Sequence, residues 1–339
     1  MAQKIIRSVC YFTDAPSIET TTKLARAAKV LEDKGYLVQT KRLCSAVKDI
    51  SELVEVVDDR ADYISLGTLT YDEAVERLPQ FYQESNVIFN IDLSDVKIDR
   101  RYADLLFRVI NEKPGHTFNF TFVFNNAPSS PFFPSGSYEK NGFSVGLQPT
   151  DLAEDCATLD EWLDAMKVCW DEIAELFKDN SEFLGIDSSV APLSHGEASS
   201  FVKFVKRLGY TFEHSVTTSI YTRITRFIKE QNPKMVGLSG LMLPCLEDDE
   251  LAAEYDKGNF SIERNVFLSL HSGLGIDTYP IATDEDPDRV VEILELIQAL
   301  SNKYKKPLSA RFVSDGKARV GDKTDYQNPY LADCTVRPL

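Results

Sequence analysis

The sequence predicts a mixed α/β fold in a single domain covering residues 1–339. Apolar strand-type segments alternate with amphipathic helical segments along the whole chain. No linker, short-period repeat or low-complexity tract interrupts that alternation. Apolar residues at 43% and charged residues at 27% give an ordinary globular composition with ample material for a core.

The chain begins with a β-rich run over residues 5–12. A helix over 18–34 follows, with Ile18, Leu24, Ala28 and Leu31 near one stripe and Gly35 suited to a left-handed cap. A strand over 36–43, a short helix near Leu53 and a strand over 63–67 come next. Then a helix over 72–82, a strand over 87–91 and a helix over 101–110 lead to the aromatic run 118–124. The near-continuous apolarity of that run implies burial on both faces. Residues 125–140, rich in Asn, Pro, Ser and Gly, form a loop long enough to suggest function, and a short strand over 143–147 follows.

Thr158 and Glu161 make a capping box for a helix in which Leu159, Trp162, Leu163, Met166, Trp170, Ile173 and Phe177 recur at helical spacing. Further helices are predicted over 197–208, 219–230, 246–255 and 287–304, the last started by Pro287 behind Asp286. Strands are predicted over 235–238, 276–281 and 308–313.

Fifty-three acidic residues against 37 basic ones give a formal charge of −16, which favours solubility and disfavours nucleic acid or anionic membrane as partners. No apolar run reaches membrane-spanning length, and Met1-Ala2-Gln3-Lys4 leads directly into Ile5-Ile6, so a cytoplasmic location is expected. Six dispersed cysteines, without a C-x-x-C pair or zinc-like His spacing, read as reduced thiols.

The segments Phe124-Asn125-Asn126-Ala127-Pro128, Val190-Ala191-Pro192, Gly237-Leu238-Ser239-Gly240 leading to Leu246-Glu247-Asp248, Gly275-Ile276-Asp277 and Arg311-Phe312-Val313 occur in that order. Together they resemble the prokaryotic family catalogued as domain of unknown function 711. The resemblance implies a fold like that of the glycyl-radical enzymes: a ten-stranded α/β barrel of two antiparallel five-stranded halves, here roughly residues 1–150 and 151–339. It implies no assigned reaction, and Pro134-Ser135-Gly136-Ser137-Tyr138 departs from the Gly/His-rich continuation of many members. Glycyl-radical chemistry is not expected, because Arg319-Val320-Gly321-Asp322 echoes the radical-glycine motif only loosely and fold alone does not license function.

Acidic residues concentrate at Glu247, Asp248, Asp249 and Glu250, where they suit either acid/base or hard-cation chemistry, or a helix first turn. His271 and Asp277, flanking Gly273 and Gly275, suit proton transfer; the bland alternative is a buried histidine and a turn aspartate. Glu197 beside His195 reads as a substrate contact or as half of a Ser194-x-x-Glu197 capping box. Arg311, on a strand of apolar neighbours, must meet an anionic ligand or an acid such as Asp277. Asn125 and Asn126, and Ser239 in the Gly-Leu-Ser-Gly segment, are polar candidates for substrate binding, while Asn is equally a turn former. Cys245 beside the acids reads as structural.

No dinucleotide fingerprint, P-loop or nucleophile elbow occurs, so no NAD site is expected and a Mg2+ or Ca2+ site stays open. The leading expectation is an enzyme without redox cofactor, acting on a small polar or anionic metabolite by acid/base chemistry. The alternatives are a regulatory protein that binds a metabolite in the same pocket and an acidic scaffold. Self-association into a homo-oligomer is also compatible with a barrel of this size.

Overall fold

The computed structural model describes residues 3–57, 60–194 and 200–339. Its first half contains β1 (Ile5–Thr13), α1 (Ile18–Glu32), β2 (Leu37–Val38), β3 (Lys41–Ser45), α2 (Ile50–Val57), β4 (Tyr63–Leu69), α3 (Tyr71–Phe81), β5 (Val87–Asp92), α4 (Arg100–Glu112), β6 (Phe120–Phe124) and β7 (Gly142–Leu147). The second half contains α5 (Leu159–Leu176), β8 (Phe183–Asp187), α6 (Phe201–Arg207), α7 (Phe212–Ser215), α8 (Ile220–Gln231), α9 (Asp249–Asp256), α10 (Ile262–His271), β9 (Gly275–Pro280), α11 (Pro287–Tyr304) and β10 (Leu308–Val313).

The main path of the sheet is β8-β7-β1-β3-β4-β5-β6-β10-β9, with β2 pairing beside β1. Strands β1, β3, β4, β5 and β6 are mutually parallel, as are β7 with β8 and β9 with β10. The two sets meet antiparallel, at β1 with β7 and at β6 with β10. The ladder is open and ends at β8 and β9, so the closed barrel implied by the resemblance is not formed by continuous strand pairing. Residues 235–238, expected as a strand, contribute with their continuation only the isolated bridges Ile186↔Met235, Val190↔Leu241 and Leu241↔Gly273. Positive φ at Gly237 and Ser239 breaks the extended backbone there.

Strand alternation separates two environments. Leu43, Ile64, Phe89, Phe122 and Ala310 join a core cluster that runs contiguously from Ile6 to Cys334 and includes helix residues such as Leu24, Leu106 and Ile297. Their alternates Arg42, Ser65, Asn90, Thr121, Ser309 and Arg311 point to the opposite, inner face of the sheet. This face carries those polar groups beside a small apolar cluster of Cys10, Phe12, Cys44 and Leu184, and residues 129–137 cover it as a plug. Asn90 Nδ2 donates to the carbonyls of Pro134 and Gly136, each at 3.0 Å. Phe132 lies against Gly146, where a Cβ would come within 2.8 Å of the ring, so β7 needs glycine to admit the plug.

Several boundaries differ from the sequence reading. The strand expected over 36–43 divides into β2 and β3. Phe118 and Asn119 belong to a 3-10 turn started by Pro114. The elements β8 and α10 were not anticipated. Helix α6 starts at Phe201, with Ser200 Oγ accepting from Val202 and Lys203 N–H; Ser194 bridges to Asp248, and the expected Ser194-x-x-Glu197 capping box falls on residues outside those described. Helix α9 starts at Asp249 with Asp248 as its cap, leaving Leu246 and Glu247 outside it.

In α5, Thr158 Oγ1 accepts from Glu161 N–H at 3.2 Å, and Glu161 Oε2 accepts from Thr158 N–H at 3.2 Å. Thr158→Ala removes the cap and is expected to cost about 1 kcal/mol, read as a lower urea midpoint with an unchanged m-value. Among the described residues no helix is long and apolar enough to cross a membrane.

Candidate functional site

Between the inner face and the plug lie two adjoining cavities of about 40 and 50 Å3. Both are lined by Arg7, Arg42, Phe133, Pro134, Glu247 and Arg311. Each residue arrives by a different route.

Arg311 and Asp277 face one another from β10 and β9, where a register shift follows the Ala310↔Ile276 pair. Arg311 Nε donates to Asp277 Oδ1 at 2.5 Å, and Nη2 donates to Glu247 Oε1 at 2.6 Å. Nη1 donates to the Phe118 carbonyl at 3.2 Å, and the Phe118 ring centroid lies 4.8 Å from the guanidinium carbon. All three nitrogens of this buried cation are therefore engaged. Burial works against the charge, but the Asp277 and Glu247 carboxylates outweigh it and hold the Arg311 pKa above its ordinary value.

Glu247 sits just ahead of the α9 cap, anchored by the fully buried Leu246. Burial raises its pKa; Arg311 opposes that rise and Asp277 adds to it, leaving a net increase. Its Oε2 lies 3.5 Å from Arg7 Nη2. Arg7 reaches inward because β1 carries a register irregularity between Ile6 and Ser8. Ile6, Val9 and Tyr11 all join the outer core although Ile6 and Val9 are three residues apart, so the bulge turns Arg7 to the inner face.

Arg42 is 5% exposed. Nε donates to Thr40 Oγ1 at 2.9 Å and Nη1 to the Pro131 carbonyl at 3.2 Å. The Tyr63 and Phe133 rings lie 5.6 and 5.0 Å from its centre. Among the described residues no carboxylate pairs with it. Burial first, and Arg7 second, push its pKa down to about 10. Among the described residues the two cavities are thus lined by three guanidinium groups and two carboxylates, an excess of one positive charge.

The other candidates lie elsewhere. Asp248 is fully buried, accepting from Ser200 Oγ at 2.8 Å, Phe201 N at 3.1 Å and Glu250 N at 3.1 Å, and so ties α6 to α9. Burial raises its pKa against those bonds. His271 ends α10 instead of lying in a loop beside a strand. Its Nδ1 is 2.7 Å from Ser272 Oγ, its ring meets Phe267 edge-on, and burial with Lys306 nearby lowers its pKa. It lines neither cavity. Asn125 donates to Ser301 Oγ at 2.9 Å and Asn302 Oδ1 at 2.8 Å, fixing the end of β6 to α11. Asn126 donates to the Ser135 carbonyl at 2.8 Å and braces the plug from within. Glu197 and His195 lie outside the described residues. Cys245 is fully buried, and burial pushes its thiol pKa far above the ordinary value. Among the described residues no group of three or more His, Cys, Asp or Glu is arranged to hold a metal ion.

Ser239 belongs to a turn organised by Asp187, a fully buried carboxylate that sequence reasoning missed. Asp187 accepts from Ser130 Oγ at 2.7 Å, Ser189 N and Oγ at 3.0 and 2.6 Å, Leu238 N at 2.9 Å and Ser239 N at 3.0 Å. Gly237 at φ +66 lies over this carboxylate, where a Cβ would come within 2.2 Å of Oδ2. Arg7 and Arg42 were missed as well. Arg42 stands in the alternating run Lys41-Arg42-Leu43-Cys44-Ser45, so the reasoning applied to Arg311 would have found it. The bulge that turns Arg7 leaves no comparable signal.

A family model described as Uncharacterised ACR (DUF711) matches residues 100–327, well over half of the chain. A UPF0210 protein of Pyrobaculum arsenaticum is 31% identical over 94 residues, 28% of this chain and 21% of that protein, so the match spans about a fifth of the relative's length. An anaerobic ribonucleotide reductase aligns over 91% of this chain and 70% of its own at 8% identity, with a TM-score of 0.31. At that TM-score the likeness carries neither fold nor chemistry to this protein.

Proposed function

We propose that this protein, which belongs to the uncharacterised DUF711 family, binds a small anionic metabolite at Arg42 and Arg7 and exchanges a proton with it through Glu247. One observation carries the reading: Arg42 is a buried cation without a carboxylate partner among the described residues, facing a cavity. Burying an unpaired charge is costly, and a bound anion would relieve that cost through charge-assisted hydrogen bonds. Arg311 and Asp277 orient Glu247, whose raised pKa moves it toward the range useful for acid/base work. Asp248 and His271 have no part in this reading.

The same reading treats segment 235–241 as the tenth strand position of a barrel around the cavities, supported by its bridges to β8 and to the residues leading into β9. It treats the chain as one domain, supported by the contiguous core. Six free cysteines support a reducing, cytoplasmic setting. A binding protein without turnover is the second reading, favoured by the engagement of both Glu247 and Asp277 with Arg311.

A thermal-shift screen of carboxylates, phosphate and sulfate tests the proposal. A bound anion at a hundred times its Kd adds about 2.7 kcal/mol of stability, and Arg42→Gln is expected to abolish the shift. Glu247→Gln keeps the shift and loses turnover if Glu247 moves the proton; a ligand bound but not turned over by the unmodified protein selects the second reading. No shift with any anion, or the same shift in Arg42→Gln, overturns the site.

A further inference from the structure

We infer that the ligand is a short aliphatic monocarboxylate, its carboxylate on Arg42 and Arg7 and its alkyl chain against Leu238, Met242 and Leu274. The inference rests on the anion binding proposed above, and not on the proton exchange, and adds the chemical class.

Charge gives the head group. Among the described residues the cavity lining has one positive charge in excess, which a single carboxylate neutralises and a dianion would overturn. The N–H groups of Arg42 Nη2 have no partner among the described residues, whereas Nε and Nη1 are taken by Thr40 and Pro131. Among the described residues the Arg7 guanidinium is held only through the 3.5 Å contact with Glu247. Two guanidinium edges are therefore available to the two oxygens of one carboxylate.

The second cavity gives the tail. Leu238, Met242 and Leu274 form an apolar cluster separate from the main core, with Ala191 packed against it. All four line the second cavity, which also contains Arg7 and Arg42. A cationic end and an apolar end in one cavity suit a molecule with one charge and a hydrocarbon chain.

Size gives the length. Cavities of about 40 and 50 Å3 admit only a few heavy atoms. Phe133 limits them on the plug side, and it is backed by Gly136, where a Cβ would come within 2.6 Å of the ring. Met242 and Leu238 are among the walls of the second cavity.

Isothermal titration of the purified chain with straight-chain carboxylates from acetate to hexanoate, with succinate and inorganic phosphate alongside, tests this. Affinity is expected to rise about fourfold per added methylene until the walls are reached, then to collapse. Met242→Ala, and separately Leu238→Ala, should move that limit to a longer chain, and Arg42→Gln should weaken every member at least about tenfold. Binding of succinate or phosphate but no alkanoate overturns the monocarboxylate class and leaves the anion site standing. Alkanoate binding without length dependence, or a limit that neither wall variant moves, also overturns it. Failure of every anion removes both readings.

Discussion

Arg311→Met is expected to lower stability by about 3–5 kcal/mol at neutral pH, because it strands two buried carboxylates beside each other. Glu247 and Asp277 now share that cation at 2.6 and 2.5 Å. Without it Glu247 keeps the burial and the like-charge neighbour that raise its pKa and loses the partner that opposes them. A carboxyl whose folded pKa lies above its unfolded value destabilises the fold only where the unfolded chain ionises it. The deficit should therefore shrink as pH falls toward 4.5, the ordinary value for a glutamate, and be largest above the raised folded pKa. Urea titrations at neutral pH and near pH 4.5 would show this narrowing. Adding Glu247→Gln and Asp277→Asn to Arg311→Met should recover much of the loss, since it removes the stranded charges. A single variant that costs less than about 1 kcal/mol would contradict the burial described here.

Asp187→Ala should have the second large effect, about 3–5 kcal/mol. It removes the acceptor for three backbone N–H groups, those of Ser189, Leu238 and Ser239, in a place closed to water. Asp187→Asn should be milder, and Ser130→Ala, which removes one hydroxyl donor, milder still at about 1 kcal/mol. Because Ser130 belongs to the plug, Asp187→Ala should also speed amide hydrogen exchange across residues 129–137 more than across α5. Uniform acceleration would show that the residue supports the whole fold and not the plug.

The parts of the fold legible in the sequence were those with local chemistry. The α5 capping box and the Asp286-Pro287 start of α11 are written in adjacent residues and reappear with their hydrogen bonds. Strand β8 was missed because Phe183-Leu184-Gly185-Ile186-Asp187 is short and contains a glycine, which reads as a break. Residues 235–238 erred the other way: Met235, Val236 and Leu238 look extended, but Gly237 turns the backbone over Asp187.

The site divides along the same line. Arg311 stood out because a charge in an apolar strand demands a partner wherever it lies. Arg42 carried the same signal in a more polar strand. Arg7 depends on a bulge set by pairing with β7, a tertiary event. Asp248 looked catalytic because it adjoins Glu247, yet one position separates a helix cap from a cavity wall.

The place of β1 in the sheet has a consequence for synthesis. Val9 pairs with Lys41 on one side and with Val145 on the other. The first neighbour leaves the ribosome soon after β1, while the second needs more than a hundred further residues. At about 5–20 residues per second, the β7-facing edge of β1 waits on the order of 10 s with its backbone groups unpaired. The segment includes Val9, Cys10, Tyr11 and Phe12, an apolar run well suited to pairing with another chain. Yield during expression should thus be governed by how well this one edge is shielded until residues 142–147 arrive, and slower translation should lower it.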